Sequence, residues 1–241
     1  MNPLVLSTMA AGLAMAAAGG TGRAAAGSAL LVPRLAGDLR VDGNLDEACY
    51  RLNPPLTNFV VAGDPATPAP ATKAWLFWQP DRLVFAFEAT DTNLVAAPKS
   101  PREHDVDAQD RVEIFLWSGN PNDTYYCVEV GARGAIHDYS ARFYRRFDDA
   151  WSPPQMKIAV ATTPSGYRVE AELPRAAVES AGFKLRAHAS FRCGLFRADF
   201  RLNAPDNPTW ICWVDARGPK PDFHVAESFG TLTLIDEPAK P

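Results

Sequence analysis

The side chains best placed for chemistry gather between residues 102 and 113. Arg102, His104, Asp105, Asp107, Gln109 and Asp110 mix hard oxygen ligands with cationic and amide donors. Asp105, Asp107 and Asp110 put three carboxylates within six residues, a donor set that suits calcium, although the spacing is not that of an EF-hand loop. Glu113 follows on the same stretch. Paired carboxylates can also hydrolyse glycosides, but Asp110 and Glu113 are three apart on an extended strand and point to opposite faces, so they cannot act across one cleft. The chain has no G-x-S-x-G, no H-E-x-x-H and no Gly-rich phosphate loop. His104, His137, His188 and His224 are scattered, with no sequence-local zinc spacing. Binding is expected, and catalysis is not.

A second polar and aromatic stretch, 142–154, packs Tyr, Phe and Trp beside three arginines and two aspartates. Flat rings give contact area at low entropic cost, while Arg, Asp, Glu, Asn and Gln reach two neighbouring hydroxyls at once. A ligand with an apolar C–H face and a rim of hydroxyls, as a sugar has, matches that combination. Both stretches read as long loops, where binding residues tend to lie.

The elements that must position these loops are strands. In 111–117, Val112, Ile114 and Leu116 alternate with Arg111, Glu113 and Phe115, and 124–130 and 167–172 alternate in the same way. Each reads as a strand with one face in the core and one wet face. Further strands are expected at 72–78, 83–89, 157–162, 190–199, 209–213 and 230–235, separated by Pro-, Gly- and Asn-rich turns. Helix is scarce: Asn44 and Glu47 form a capping box for one short helix, and Pro174 opens another at 175–180 that Gly182 ends. With 241 residues and 47% hydrophobic content, the chain can bury one sizeable core. The fold class is all-β, an antiparallel β-sandwich with one or two short helices. The net charge of −4 is spread over interspersed acids and bases, which argues against a nucleic-acid partner.

Three motifs carry a resemblance. Asp42-Gly43-Asn44-Leu45-Asp46-Glu47-Ala48, then Gln109-Asp110-Arg111-Val112-Glu113-Ile114-Phe115-Leu116, then Phe229-Gly230-Thr231-Leu232-Thr233-Leu234 together resemble the family 9 carbohydrate-binding modules and their DOMON-like relatives. The resemblance covers roughly residues 37–236. It implies an immunoglobulin- or jelly-roll-like sandwich that binds a saccharide without cleaving it, with structural calcium at Asp105, Asp107 and Asp110. In that family two aromatic residues sandwich a terminal sugar and a Glu holds its hydroxyls. Carried over, the Glu is Glu113 and the second aromatic is Phe223. The first aromatic has no counterpart, its place falling near Val106-Asp107. Arg102, Gln109, Trp151, Trp210 and His224 complete the expected site. A haem-binding or protein-interaction version of the same fold is the alternative, with Met156 and either His104 or His137 as the haem ligands.

Residues 1–26 read as a secretory signal, with an apolar alanine-rich run and small residues before position 27, though without an early Lys or Arg. The run is too short and too rich in Ala and Gly for a transmembrane span. Residues 27–36 are expected to be a linker and 237–241 a tail. An extracytoplasmic location, periplasmic or secreted, follows, with a glycoside hydrolase or a cell-surface glycan system as partner. Cys49, Cys127, Cys193 and Cys212 are too far apart for a CxxC motif. They are either buried thiols or two disulfides, with Cys193–Cys212 the first pairing to test.

Overall fold

Alternating segments become strands here because each can bury one face while its backbone pairs sideways. The computed structural model describes residues 28–97 and 102–239, so the secretory signal expected at 1–26 lies outside the described residues. Its strands are β1 (Ala29–Arg34), β2 (Val60–Val61), β3 (Thr72–Gln79), β4 (Arg82–Thr90), β5 (Arg111–Trp117), β6 (Tyr125–Gly131) and β7 (Ile136–Arg142). They continue with β8 (Arg146–Asp148), β9 (Lys157–Thr163), β10 (Gly166–Pro174), β11 (Ser190–Asp199), β12 (Thr209–Cys212) and β13 (Gly230–Pro238). One hydrogen-bonded path runs β8-β7-β6-β5-β11-β13-β1-β3-β4-β10-β9, with β12 beside β11 and β2 beside β12. Every pairing is antiparallel except those of β1, which runs parallel to β13 and β3.

The path folds over on itself as a sandwich. Val112, Ile114 and Leu116 of β5 and Val128 and Val130 of β6 share one core with Phe85 and Phe87 of β4 and Tyr167, Val169 and Ala171 of β10. Each of the Val, Ile, Leu and Phe side chains contributes about 1.5–3 kcal/mol when fully buried, so this cluster is a large source of stability. The wet faces expected on β5 and β6 are not wet. All seven residues of β5 are buried, because a second cluster covers its outer face: Phe115, Trp117, Tyr125, Cys127, Tyr139, Phe196, Phe223 and Phe229 pack there. Gly194 makes room for it, since a Cβ at that position would fall 2.3 Å from the Phe196 ring.

Other expectations change in detail. The expected linker forms β1 over residues 29–34, with Val32 fully buried between its neighbours. No turn signal interrupts the Ala-Leu-Leu-Val run, and its parallel partner lies two hundred residues away. The capping box does not form: the helix α1 (Ala48–Leu52) starts from Glu47 without a side-chain cap. The second helix, α2 (Arg175–Ser180), appears as expected, with Pro174 one position earlier than predicted, at its N-cap. Gly182 follows with φ +83°, and its N–H reaches the Glu179 carbonyl at 2.9 Å. All four cysteines are free and buried. Cys193 faces the main core and Cys212 the outer cluster, on opposite sides of the sheet, so no bridge joins them.

Two sequence motifs act as structural ties. Glu170 accepts the Asp42 and Gly43 N–H groups at 2.8 and 2.9 Å and the Tyr50 hydroxyl at 2.9 Å. That bond set explains the Asp-Gly turn, where Gly43 sits at φ +86°. Asp110 accepts the N–H groups of Val95 and Phe200 and so fastens the loop before β5 to the end of β11.

Candidate functional site

The outer face of β5, β6, β7 and β11 carries one polar row in an otherwise aromatic surface. Phe196 pairs with Glu113, Glu113 with Glu129, and Glu129 with His137, so all four project from the same side. Arg111 lies one step along the same face. Its Nε is 2.9 Å from Glu113 Oε1 and 2.6 Å from Glu129 Oε2, and its Nη1 donates to the Asp107 carbonyl at 2.9 Å. The Tyr139 hydroxyl donates to Glu129 Oε1 at 2.7 Å. Burial, with Glu129 beside it, pushes the Glu113 carboxyl above the ordinary carboxylate range.

This row is the floor of a cavity of about 540 Å³. Three loops wall it. The turn at Glu103–Val106 brings His104 and Asp107, the chain around β8 brings Arg145, Phe147 and Asp149, and the segment before β13 brings Asp222, Phe223 and His224, with Trp210 of β12 beside them. The last two loops hold each other: Arg145 Nη2 and the Tyr144 hydroxyl donate to the Asp222 carboxylate at 2.8 and 2.7 Å. Phe223 stacks on Phe196 at 4.1 Å and 12°, and Trp210 meets Phe223 edge-on at 5.5 Å while the Arg111 guanidinium lies over the Trp210 ring at 5.6 Å. His224 lies 3.0 Å from the Tyr125 hydroxyl, and burial pushes its imidazole down to about 3, so it is a neutral ring at ordinary pH.

Of the residues expected from sequence, Glu113, Phe223, Trp210, His224 and Asp107 meet in this cavity. Trp151 does not. The chain turns around the sheet edge after β8, and the Trp151 ring packs at 4.9 Å from Tyr126 against the main core. Gln109 is buried in its own loop, accepting the Ala97 N–H at 2.9 Å and donating to the Asp105 carbonyl. Arg102 pairs with Asp105 at 3.0 Å, away from the cavity. The family's missing first aromatic is not replaced by a ring from the same segment, since Val106 is buried and Asp107 faces two histidines.

The three aspartates expected to hold calcium diverge. Asp105 faces Arg102, Asp107 faces His104 and His137, and Asp110 lies with Asp91 and Asp199. In that last group Arg197 sits fully buried, 3.3 Å from Asp91 and 3.7 Å from Asp199, and Asp110 is taken up by two backbone N–H groups. Arg197 supplies one positive charge to that group, and the three aspartates named from sequence do not converge on a single site. Haem ligation by Met156 is also unsupported, because Met156 packs against the main core while His104 and His137 line the cavity on the outer face.

Sequence reasoning did not single out Arg111, Glu129, Tyr139, Phe147 or Asp149, and it named His137 only as a haem ligand. A signal existed for Glu129: a hairpin centred on position 121 places it opposite Glu113. Composition marks the 142–154 stretch as a whole, but nothing local singles out Phe147 or Asp149 within it, and they reach the site because β8 returns along β7.

A family model described as "Carbohydrate family 9 binding domain-like" matches residues 41–237. Among solved structures, a family 9 carbohydrate-binding module from Caldicellulosiruptor kristjanssonii in complex with glucose is 18% identical, with a TM-score of 0.62 over 89% of this chain and 99% of that one. The same organism's module in complex with cellotriose is 18% identical, with a TM-score of 0.61 over 87% and 95%. A protein from Bacteroides uniformis is 18% identical, with a TM-score of 0.66 over 86% and 99%. A comparison with curated protein sequences finds no match.

Proposed function

Because the chain belongs to the carbohydrate family 9 binding-domain-like proteins, a family of binding modules, we propose that its cavity holds a saccharide and leaves it uncleaved. The observation that carries this reading is the floor of the cavity. Glu113 Oε1 and Glu129 Oε2 are buried and compete for the single Nε–H of Arg111, which can point at only one of them, so at least one of these acceptors is left without a donor among the described residues. Sugar hydroxyls are donors of the required kind, and a buried acceptor left unsatisfied costs about 1–3 kcal/mol. Half-buried Trp210 and exposed Phe147 offer ring surface for the C–H face of a pyranose. The cavity volume falls in the usual range for small-molecule sites, about 300–1,000 Å³.

The same geometry is unsuited to glycoside hydrolysis, in which two carboxyl groups flank the scissile bond. Here both lie side by side on one floor and share one guanidinium. The relatives solved with glucose and cellotriose support glucose and cello-oligosaccharides as the first ligands to try. The alanine-rich leader supports an extracytoplasmic role beside a glycoside hydrolase or a cell-surface glycan system, and no helix among the described residues is long and apolar enough to cross a membrane.

Thermal shift and calorimetry of the purified protein against mono- and oligosaccharides test the reading, because a ligand that binds only the native state raises its melting temperature. A saturable shift with one sugar class is the expected result. No shift with any sugar, in protein shown to be folded, overturns it.

A further inference from the structure

Two imidazoles and two carboxylates form a closed ring at the mouth of the cavity. His104 Nδ1 is 3.0 Å from Asp107 Oδ2, and His137 Nδ1 is 2.9 Å from Asp107 Oδ1. Asp149 spans the far side, 3.1 Å from His104 Nε2 and 3.8 Å from His137 Nε2, and the two rings lie 4.4 Å apart. Three of these contacts are short enough to need a proton between nitrogen and oxygen. His137 is nearly fully buried, and its Nε2 has no hydrogen-bond partner among the described residues.

We propose that His104, His137 and Asp107 form a binding site for a divalent transition metal of the zinc class, with Asp149 as the carboxylate that orients both imidazoles. One nitrogen of each His and one Asp107 oxygen come within 4.8 Å of one another. Ligands of a tetrahedral zinc ion, at roughly 2.0–2.2 Å from the metal, stand about 3.3 Å apart, so each N–O contact opens by a few tenths of an ångström while the Asp107 carboxylate turns to share one oxygen with both nitrogens. Nitrogen donors select zinc-class ions over calcium, which takes oxygen. When both Nδ1 atoms bind the metal, each imidazole carries its proton on Nε2, and Asp149 is the acceptor in place for both, an arrangement typical of metal-bound histidines. His137 then gains the partner its Nε2 lacks once Asp149 draws in. Three protein ligands leave a position open, and all four residues line the cavity.

The site spans parts of the chain that no local motif connects: the one-turn helix at Glu103–Val106, β7 and the chain just beyond β8. It stands at the wall where the resemblance calls for an aromatic ring. Metal binding is read without sugar, so its outcome is independent of the saccharide proposal.

The experiment is calorimetric titration of chelator-treated full-length protein with Zn²⁺, with parallel titrations of Co²⁺, read by visible absorbance, and of Ca²⁺. One equivalent of Zn²⁺, a ligand-field spectrum with Co²⁺, and no competition by Ca²⁺ are expected. His104→Ala and Asp107→Asn should each lower Zn²⁺ affinity at least tenfold, and Asp149→Asn by about 10–100-fold, the usual cost of losing an outer-shell partner. His104 and Asp107 are substantially solvent-exposed, so these variants should fold, which circular dichroism verifies. Absence of saturable Zn²⁺ binding, Zn²⁺ affinity unchanged in His104→Ala, or preferential binding of Ca²⁺ would each overturn the proposal.

Discussion

Glu113 and Glu129 face each other across β5 and β6, and the Nε of Arg111 lies within 2.9 Å of one carboxylate and 2.6 Å of the other. Two acids and one base are thus buried together on the floor of the cavity. The net charge of this group is held by a single guanidinium, and a hydroxyl-rich ligand is what its spare acceptors lack.

Removing the guanidinium should therefore unfold more than a surface change would. Arg111→Met removes the cationic partner that buried Glu113 and Glu129 share, a loss of about 3–5 kcal/mol by the usual cost of breaking a buried ion pair. Urea denaturation of variant and parent gives the difference, and a loss under 1 kcal/mol would show that solvent reaches the floor.

Stability should also depend on pH through Glu113. Its folded carboxyl titrates above the ordinary Glu value of 4.5, first because it is buried and then because Glu129 is beside it. The folded state keeps a proton that the unfolded chain releases, so this contribution is complete below 4.5 and declines as the pH rises towards the elevated folded value. Glu113→Gln abolishes that decline. Melting temperatures of the two proteins should converge or cross between acid and mildly alkaline pH, and parallel curves would contradict the assignment.

The same Glu113→Gln variant should bind a saccharide about 1–3 kcal/mol more weakly, since an ionisable acceptor becomes an amide that meets Arg111 as a donor. Calorimetry on folded variant protein measures this. Equal affinity would place the sugar elsewhere.

The aromatic walls should separate by role. Phe147 is half exposed, so Phe147→Ala should lower saccharide affinity with little change in melting temperature. Phe223 is buried and stacked on Phe196, and Phe223→Ala should cost about 3–5 kcal/mol of stability as a large-to-small core change. A stable Phe223→Ala protein with intact affinity would contradict both the stack and its place in the wall.

Gly194 gives a sharper test of the outer cluster. An alanine Cβ there collides with the Phe196 ring, which must swing out of its stack with Phe223. Gly194→Ala should lose about 1–3 kcal/mol, the range for overpacking, and weaken ligand binding although the residue lies under the site. Denaturant titration and calorimetry read the two effects.

The sequence alone marked nine of the strands of the sandwich and five of the residues that line the cavity. Alternation at period two is a local property, so β3, β4, β5, β10 and β11 were legible from single segments, and the Glu113 motif stood out by its resemblance to a known pattern. What covers the second face of a strand is not local. Arg111, Glu113, Tyr125 and Cys127 look like the wet side of an ordinary strand until the loops at 142–149 and 219–229 close over them. The short strand β8 had no apolar alternation to announce it, being exposed throughout, and it is held by pairing with β7 and by the Phe147 ring against Tyr139 and His224. Its path alone decides that Phe147 and Asp149 reach the cavity while Trp151, two residues further, packs on the opposite side of the sheet. Tertiary structure also decided part of the fate of the aspartates: Asp105 meets Arg102 within its own turn, whereas His137 of β7 joins His104 at Asp107 and the backbone of Val95 and Phe200 takes up Asp110.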